Sequence, residues 1–511
     1  MKKRSERKST KTWKRVIAFF ISLFLLAVQL ILLYYSFKSI YHIQWLYILI
    51  QAIGLLIVFV IYQNANMSNS YKLTWTILIL AVPIYGTTLY ILVKNSQHLP
   101  KRRIKKITQN VYSSIQDNNV NEVTGDTNAT KYISFLKKDT NYNAYNNSKI
   151  NFFNNGKPLF DDILEALKNA KEYIFLEYFI VVEGILFNQL YEILKQKCAE
   201  GVKVRFLYDD VGSVGGLKIK KRRELEKINN LEIVAFAPLG TNMNPMINYR
   251  DHRKICVIDG SVGYIGGANI ADEYANYIKR FGYWRDNGVK IYGEAVNNLV
   301  AMFIETWYMS TREVLSYKDY VKQHEVYHLN NCIQPFGDGP MSLNNISYDL
   351  FASMFSKSNS YIYISTPYFI IDDNMIKVLV MAIKMGVDVR ILIPGIPDKK
   401  TTYALTMAHL GEILEAGGKI YKYTPGFNHA KNIIIDDKYA FCGTINIDYR
   451  SLFLHYECGA LIINDPEILK IKDDFLRACE ESELLTYTKW RKRNILQRII
   501  AFIFRVFSPL F

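Results

Sequence analysis

The sequence predicts an α/β protein of two duplicated lobes that pack as a pseudo-dimer and follow N-terminal transmembrane helices. Strand-like and helical segments alternate after Ile150, several of them recur in the same order, and long apolar runs fill the first hundred residues. The predicted divisions are a membrane domain with two or three transmembrane segments (1–100), a polar linker (101–149), a first lobe (150–330), a second lobe (331–484) and a C-terminal amphipathic, membrane-associated helix (485–511).

The composition limits the possible classes of protein. A chain of 511 residues that is 50% hydrophobic and 14% aromatic can bury more than one core and is not a disordered protein. Its net charge of +16 indicates an anionic partner, which lipid headgroups and nucleic acid both satisfy. The six cysteines are scattered without a Cys-x-x-Cys pair, which argues against a zinc site and a disulfide framework.

Three apolar runs predict an integral membrane protein. They cover Val16 to Tyr35, Ile43 to Tyr62 and Leu73 to Val93, and Pro83 and Gly86 interrupt the third. The first run is too long for a cleaved signal peptide, and no small-residue cleavage site follows it.

Basic clusters flank these runs and bear on topology. By the positive-inside rule both clusters lie in the cytoplasm, so the number of crossings is even. If the third run re-enters the membrane or lies in the interface, two spans remain, and the lobes of this multi-pass protein lie on the cytoplasmic face. The alternative is an arrangement of three spans with external lobes. The clusters are Lys2, Lys3, Arg4, Arg7 and Lys8 before the runs, and Lys101, Arg102, Arg103, Lys105 and Lys106 after them.

The segments after Ile150 repeat in order. "KEYIFLEYFI" (171–180) resembles "NSYIYISTPYFI" (359–370), and "GVKVRFLYDD" (201–210) resembles "GVDVRILIPG" (386–395). A third pair follows, "YRDHRKICVIDG" (249–260) and "FNHAKNIIIDD" (427–437). A duplication explains this shared order better than three coincidences do.

The third pair carries the candidate catalytic residues. Each copy has His-x-Lys-x4-Asp, and on a strand the His and Lys of one copy share a face. The aspartates fall on the other parity at the strand end, where we expect them to support the motif. One such motif alone is weak evidence for function, but two copies with matching surroundings are strong evidence. The motif residues are His252, Lys254, Asp259, His429, Lys431 and Asp436.

Further polar residues follow each copy at related positions. Asn269 in "GGAN" and Asn446 in "GTIN" lie 17 residues after their histidines, as the numbering shows. Asp286 in "YWRDNGVKI" and Glu457 in "LHYECGALI" each offer a carboxylate that can orient a histidine ring.

Two His, two Lys and two Asn around one cavity suit a phosphodiester. Lysine and amide groups stabilise charge on the phosphate oxygens, while one imidazole attacks phosphorus and the other transfers protons. This chemistry requires no metal or other cofactor, and no cluster with metal-ligand spacing is present in the sequence.

These motifs resemble those of the phospholipase D superfamily, and most closely those of bacterial cardiolipin synthases. The resemblance covers nearly the whole chain except the linker. "YRDHRKICVIDGSVGYIGGANIADEY", "STPYFI" and "GFNHAKNIIIDDKYAFCGTINIDYRS" carry it, together with Pro83, Ile84, Gly86 and Tyr90 and the ending "SPLF". The chain departs from the family pattern at Ile371, where Pro is common, and at His455-Tyr456, where Asn-Phe is usual.

The resemblance implies an enzyme that joins two phosphatidylglycerol molecules into cardiolipin and releases glycerol. By that resemblance His252 is the nucleophile and His429 the acid/base. Lys254, Lys431, Asn269 and Asn446 hold phosphate, and Asp286 and Glu457 orient the histidines. The implied partners are phosphatidylglycerol and other membrane lipids, not nucleic acid, at the cell membrane. The alternatives are a phospholipase D-type hydrolase, another phosphatidyltransferase, a membrane-tethered nuclease and a non-catalytic scaffold.

Overall fold

Three helices of the N-terminal part have both of their ends within the residues that the structure describes. The computed structural model describes residues 24, 27–31, 34–35, 41–64, 67, 69–94, 126–238, 249–322, 331–340, 342 and 344–510. Among them, α1 alone is long and apolar enough to cross a membrane. Most of the first predicted span and both basic clusters lie outside the described residues. The helices are α1 (Tyr41–Tyr62), α2 (Asn69–Ala81) and α3 (Pro83–Lys94).

The third apolar run is a helical hairpin and not a single span. Its two helices have 13 and 12 residues, about 20 Å each, which is shorter than the bilayer core of about 30 Å. The chain breaks at Pro83, whose ring cannot continue α2. Gly86 permits the two helices to approach, because a Cβ there would lie 2.3 Å from the carbonyl oxygen of Leu78.

The predicted linker is partly wrong. Helix α4 (Thr127–Thr140) occupies its second half, with Asp126 as an N-cap that accepts hydrogen bonds from two backbone N–H groups. Polar residues mask the pattern in the sequence, but the apolar side chains recur every three or four residues and are buried in the core. A linker therefore remains a prediction only for 101–125, which lie outside the described residues. The buried residues of α4 include Ala129, Tyr132, Ile133 and Leu136.

The first lobe is a seven-stranded sheet with helices packed against it. The strand order is β1-β8-β6-β5-β2-β3-β4, in which β2, β3 and β4 are parallel and β5 and β6 form an antiparallel hairpin. The elements are β1 (Ser148–Phe153), α5 (Gly156–Lys168), β2 (Tyr173–Tyr178), α6 (Ile185–Ala199), β3 (Lys203–Asp209), α7 (Ile219–Leu225), β4 (Leu231–Phe236), β5 (Lys254–Ile258), β6 (Val262–Gly266), β7 (Tyr283–Arg285), β8 (Gly288–Gly293) and α8 (Val296–Thr311).

The second lobe repeats this sheet. Its order, β9-β18-β16-β15-β10-β12-β13-β19, matches the first lobe strand for strand and adds β19 at one edge. The α/β class and the duplication are thus confirmed. The elements are β9 (Cys332–Asp338), α9 (Ile346–Ser356), β10 (Tyr361–Ser365), β11 (Phe369–Ile370), α10 (Asp373–Lys384), β12 (Asp388–Pro394), α11 (Lys400–Ala416), β13 (Lys419–Tyr423), β14 (Gly426–Asn428), β15 (Asn432–Ile435), β16 (Tyr439–Gly443), β17 (Ile447–Asp448), α12 (Tyr449–Phe453), β18 (Glu457–Ile463), α13 (Glu467–Glu480), β19 (Ser482–Leu485), α14 (Tyr487–Arg491) and α15 (Ile495–Arg505).

The C-terminal helix α15 packs on the second lobe and also keeps an apolar face exposed. Arg505 pairs with Glu412 of α11, and Thr74 of α2 donates a hydrogen bond to the carbonyl of Val506. On its other side Phe502 is 81% exposed, in line with Ile495 and Ile499. The helix therefore packs on the second lobe with one face, while its association with a membrane stays a prediction. All six cysteines are buried and free.

Candidate active site

The two histidines lie where the lobes join, in short segments whose backbone is hydrogen-bonded to the other lobe. The backbone N–H of His252 donates to the carbonyl of Tyr456, and that of His429 donates to the carbonyl of Arg285. The strands begin only afterwards, at Lys254 and Asn432. The expectation that His and Lys share a strand is therefore wrong: Lys254 begins β5, but both histidines and Lys431 precede their strands, and the backbone of each histidine pairs with the other lobe.

Each histidine binds a carboxylate of the opposite lobe. The Nδ1 atom of His252 lies 2.9 Å from both oxygens of Glu457, and Nδ1 of His429 lies 2.7 Å from Oδ2 of Asp286. The sequence indicated these two carboxylates as partners of the histidines. The structure adds that each histidine pairs with the carboxylate of the other lobe. A neutral ring that donates from Nδ1 keeps the lone pair of Nε2 available for attack or proton transfer.

Neighbouring groups fix the two carboxylates. Thr444 donates its hydroxyl to Glu457, and the indole N–H of Trp284 donates to Asp286 at 3.2 Å. Gly267 occupies the position in its motif that Thr444 has in the other copy. A Cβ at Gly267 would lie 2.1 Å from Oδ1 of Asp286, so the carboxylate occupies the space of a side chain. The sequence assigned no role to Thr444 or Trp284, although both lie within the quoted motifs.

The two lysines are buried beside the histidines. The Nζ atom of each donates to the carbonyl of the histidine in its own motif, Lys254 to His252 and Lys431 to His429. Burial lowers the pKa of Lys254 to about 8 and that of Lys431 to about 7. A bound phosphate would favour the charged form of both amines, because an opposite charge stabilises it.

Both histidines are neutral near pH 7, because their pKa values are lowered. Burial, followed by the charge of Lys254, lowers the pKa of His252 well below its ordinary value. Burial and Lys431 lower the pKa of His429 to about 4 against the opposing effect of Asp286. Burial acts to raise the pKa of Asp286, but His429 and Lys431 outweigh it and lower that pKa, so the carboxylate is ionised.

The motif aspartates support the backbone at a distance from this chemistry. The carboxylate of Asp259 accepts from the backbone N–H groups of residues 171–173, and that of Asp436 accepts from those of residues 359–361. Both aspartates adopt left-handed conformations, with φ of 52° and 54°. This geometry agrees with the aspartates holding the backbone in place and not with a direct part in the reaction. The motif had grouped them with the catalytic residues.

The two asparagines are buried and partly engaged. Asn269 accepts from the N–H of Ile180 and donates to the hydroxyl of Tyr274, while Asn446 donates to the hydroxyl of Ser451. An amide nitrogen carries two hydrogens, so each side chain keeps one for another acceptor.

Aromatic side chains enclose both histidines. The ring of Phe179 lies 4.9 Å from that of His252, and Lys254 lies 5.4 Å from the Phe179 centroid. Apolar walls of this kind reduce access of water to the site. The rings around His429 belong to Tyr274, Trp284 and Phe427.

A third histidine lies beside the first pair. The ring centroids of His455 and His252 are 5.5 Å apart, and Nδ1 of His455 is 3.8 Å from Oε1 of Glu457. Within the described part of the chain, these three residues are the one grouping of His, Cys, Asp or Glu close enough to hold a metal ion. His252 and Glu457 already bind each other, so the set fits an acid–base arrangement. The sequence identified His455 only as a departure from the family pattern.

Comparisons with known proteins identify relatives over most of the chain. A family model described as "Cardiolipin synthase, PLD-like domain" matches residues 163–307 and 351–479. A cardiolipin synthase of Alkalihalophilus pseudofirmus is 34% identical over 468 residues, covering 90% of this chain and 91% of the relative. "Cardiolipin synthase 2" of Bacillus anthracis is 39% identical over 361 residues, covering 70% of this chain and 69% of the relative.

A solved structure shares the fold. The phosphatidylserine synthase of Haemophilus influenzae superimposes with a TM-score of 0.57 at 17% identity, covering 75% of this chain and 98% of that one. At this identity the likeness concerns the fold alone.

Proposed function

The chain belongs to the cardiolipin synthases, whose domains are like those of phospholipase D, and on this basis we propose that it joins two phosphatidylglycerol molecules into cardiolipin and releases glycerol. The observation that carries the proposal is the crossed pair of hydrogen bonds, His252 to Glu457 and His429 to Asp286. It places two oriented imidazoles in one buried site between the lobes.

The first step transfers a phosphatidyl group to the protein. The Nε2 atom of His252 attacks phosphorus and forms an N–P bond, while the P–O bond to the glycerol headgroup breaks. His429 gives its Nε2 proton to the departing glycerol oxygen. The phosphate anion favours the protonated form of His429 once substrate is bound.

The second step returns the phosphatidyl group to a lipid. His429 takes a proton from a headgroup hydroxyl of a second phosphatidylglycerol, whose oxygen attacks phosphorus as the N–P bond to His252 breaks. Lys254 and Lys431 stabilise negative charge on the phosphate oxygens in both steps, together with the free amide hydrogens of Asn269 and Asn446.

Attachment to a membrane favours the lipid over water as the acceptor. The exposed side chains of α1 are apolar along most of the helix, with Leu56 64% and Phe59 61% exposed, which is unfavourable in water. We therefore place α1 across the membrane as one span of a multi-pass protein, with the α2–α3 hairpin within one leaflet. The basic clusters at the two ends of the apolar runs support a cytoplasmic position for the catalytic lobes, because positive charge favours that side of the membrane.

Product analysis tests this function. The purified full-length protein is supplied with vesicles in which phosphatidylglycerol is the reactive lipid, and cardiolipin, glycerol and phosphatidic acid are measured. We expect one glycerol for each cardiolipin and little phosphatidic acid. Phosphatidic acid without cardiolipin would instead identify a hydrolase on the same scaffold.

A further inference from the structure

A cavity of about 160 Å³ separates the N-terminal helices from the second lobe. Asn64, Met67 and Tyr71, at the junction of α1 and α2, line one side, and Ser342 and Leu454 are among the residues that line the other. Its wall mixes polar and apolar side chains, as the glycerol and ester region of a diacyl lipid requires. This space connects the part of the chain placed at the membrane with the lobe that carries Glu457.

His455 lines the same cavity and has unmet hydrogen-bonding capacity. It is 7% exposed, and the nearest carboxylate oxygen, Oε1 of Glu457, lies 3.8 Å from its Nδ1, which is longer than a normal hydrogen bond. Asp338, which also lines the cavity, already accepts from the N–H groups of Gly339 and Ser347. Burial lowers the pKa of His455 to about 3, so its ring is neutral and has one N–H to donate.

The cavity adjoins one histidine and not the other. His455 packs on His252, whereas none of the aromatic residues around His429 lines this space in the described structure. In an in-line displacement at phosphorus, the nucleophile and the leaving group lie on opposite sides. The glycerol that leaves and the lipid hydroxyl that enters therefore both use the His429 side.

The diacylglycerol portion of the phosphatidyl group is different, because it stays bound to phosphorus through both steps. A place for it on the His252 side keeps the His429 side clear for the exchange of alcohols. We propose that this cavity holds the glycerol–ester segment of the donor lipid, with His455 as a positioning residue that donates to an ester carbonyl or phosphodiester oxygen. The acyl chains continue from it along α1 and α2 into the membrane. The inference rests on the proposed function only in requiring a phosphatidyl donor.

Photo-crosslinking of the wild-type protein tests where the donor lies. The probe is a phosphatidylglycerol with a diazirine close to the ester carbonyl, in vesicles, and labelled peptides are mapped by mass spectrometry. We expect labels on the peptides that contain Ser342 and Leu454. Labels confined to the peptides around Trp284 and Phe427, or no label on the cavity residues, overturn the proposal.

Variants at Ser342 and His455 test the cavity through kinetics. Ser342→Trp fills the space and should raise KM for phosphatidylglycerol about tenfold or more, while Ser342→Ala serves as the matched control. His455→Ala should raise KM about tenfold with a smaller effect on kcat, and His455→Asn should recover much of it because an amide also donates. An unchanged KM in Ser342→Trp and His455→Ala contradicts the proposal.

Both tests separate this inference from the function itself. The crosslinked peptides are identified without reference to the product. KM is measured from the consumption of phosphatidylglycerol, whether the product is cardiolipin or phosphatidic acid. Failure of the function appears as wild-type protein that makes no cardiolipin, and failure of the inference appears as a donor outside the cavity.

Discussion

At the scale of single residues, the site depends on groups that are buried yet must carry charge. Lys254 and Lys431 are 2% and 1% exposed, and burial shifts their pKa values close to neutrality. The sequence predicted both lysines and both histidines from the repeated motif alone. It did not predict His455 as part of the site. His455 and His252 are about 200 positions apart in the sequence, and only the fold shows that their rings are in contact.

The lysines predict an alkaline limit on activity. A lysine with a lowered pKa loses its proton as pH rises through that value, so kcat/KM should fall more steeply above pH about 7 as Lys431 and then Lys254 become neutral. Lys431→Arg keeps its charge and should move the limit upward by about one pH unit, to that set by Lys254. Lys157→Arg on the surface is the control and should leave the profile unchanged. A profile that stays flat to pH 9 in the wild type would contradict these pKa values.

At the scale of elements, the repeated strands were predictable and the segments between lobes were not. Apolar runs such as "KEYIFLEYFI" locate β2 and β10 because strand residues in a covered sheet are continuously hydrophobic. Helix α4 was not predicted, because most of its residues are polar and only a few of its side chains are buried. The sequence also did not show that the short segments before β5 and β15 pair with the other lobe. Their backbone N–H groups donate to carbonyls that are distant in the sequence.

The motif aspartates predict an effect on stability at this scale. Asp259→Ala removes the acceptor for three backbone N–H groups that start β2, so we expect a loss of about 2–4 kcal/mol in unfolding free energy. Denaturant unfolding of the purified protein measures it. Asp161→Ala, which removes one exposed ion pair with Lys157, should change stability by less than about 1 kcal/mol. Equal stability of the two variants would show that Asp259 is not a structural support.

At the scale of the whole molecule, the candidate active site exists only because the two lobes meet. Each histidine takes its carboxylate and its backbone partner from the other lobe, so neither lobe alone completes a catalytic pair. The duplication was evident from the sequence, but this exchange of partners was not, since spacing alone does not tell which carboxylate meets which ring.

The position of the two lobes relative to the membrane is also a property of the whole chain. With both basic clusters in the cytoplasm, protease added outside sealed right-side-out vesicles should leave residues 126–510 intact, and disruption of the vesicles should expose them. Cleavage of the lobes in intact vesicles would support the three-span arrangement instead.

The most direct test of the two-histidine scheme is to trap the covalent intermediate. The wild-type protein is mixed with phosphatidylglycerol, quenched in alkali, which preserves phosphohistidine, and the modified residue is located by tandem mass spectrometry. We expect a phosphatidyl group on His252, and we expect His252→Ala and His429→Ala each to lower cardiolipin formation about 10³-fold or more while remaining folded. An adduct on His429, or substantial turnover in both variants, would contradict it.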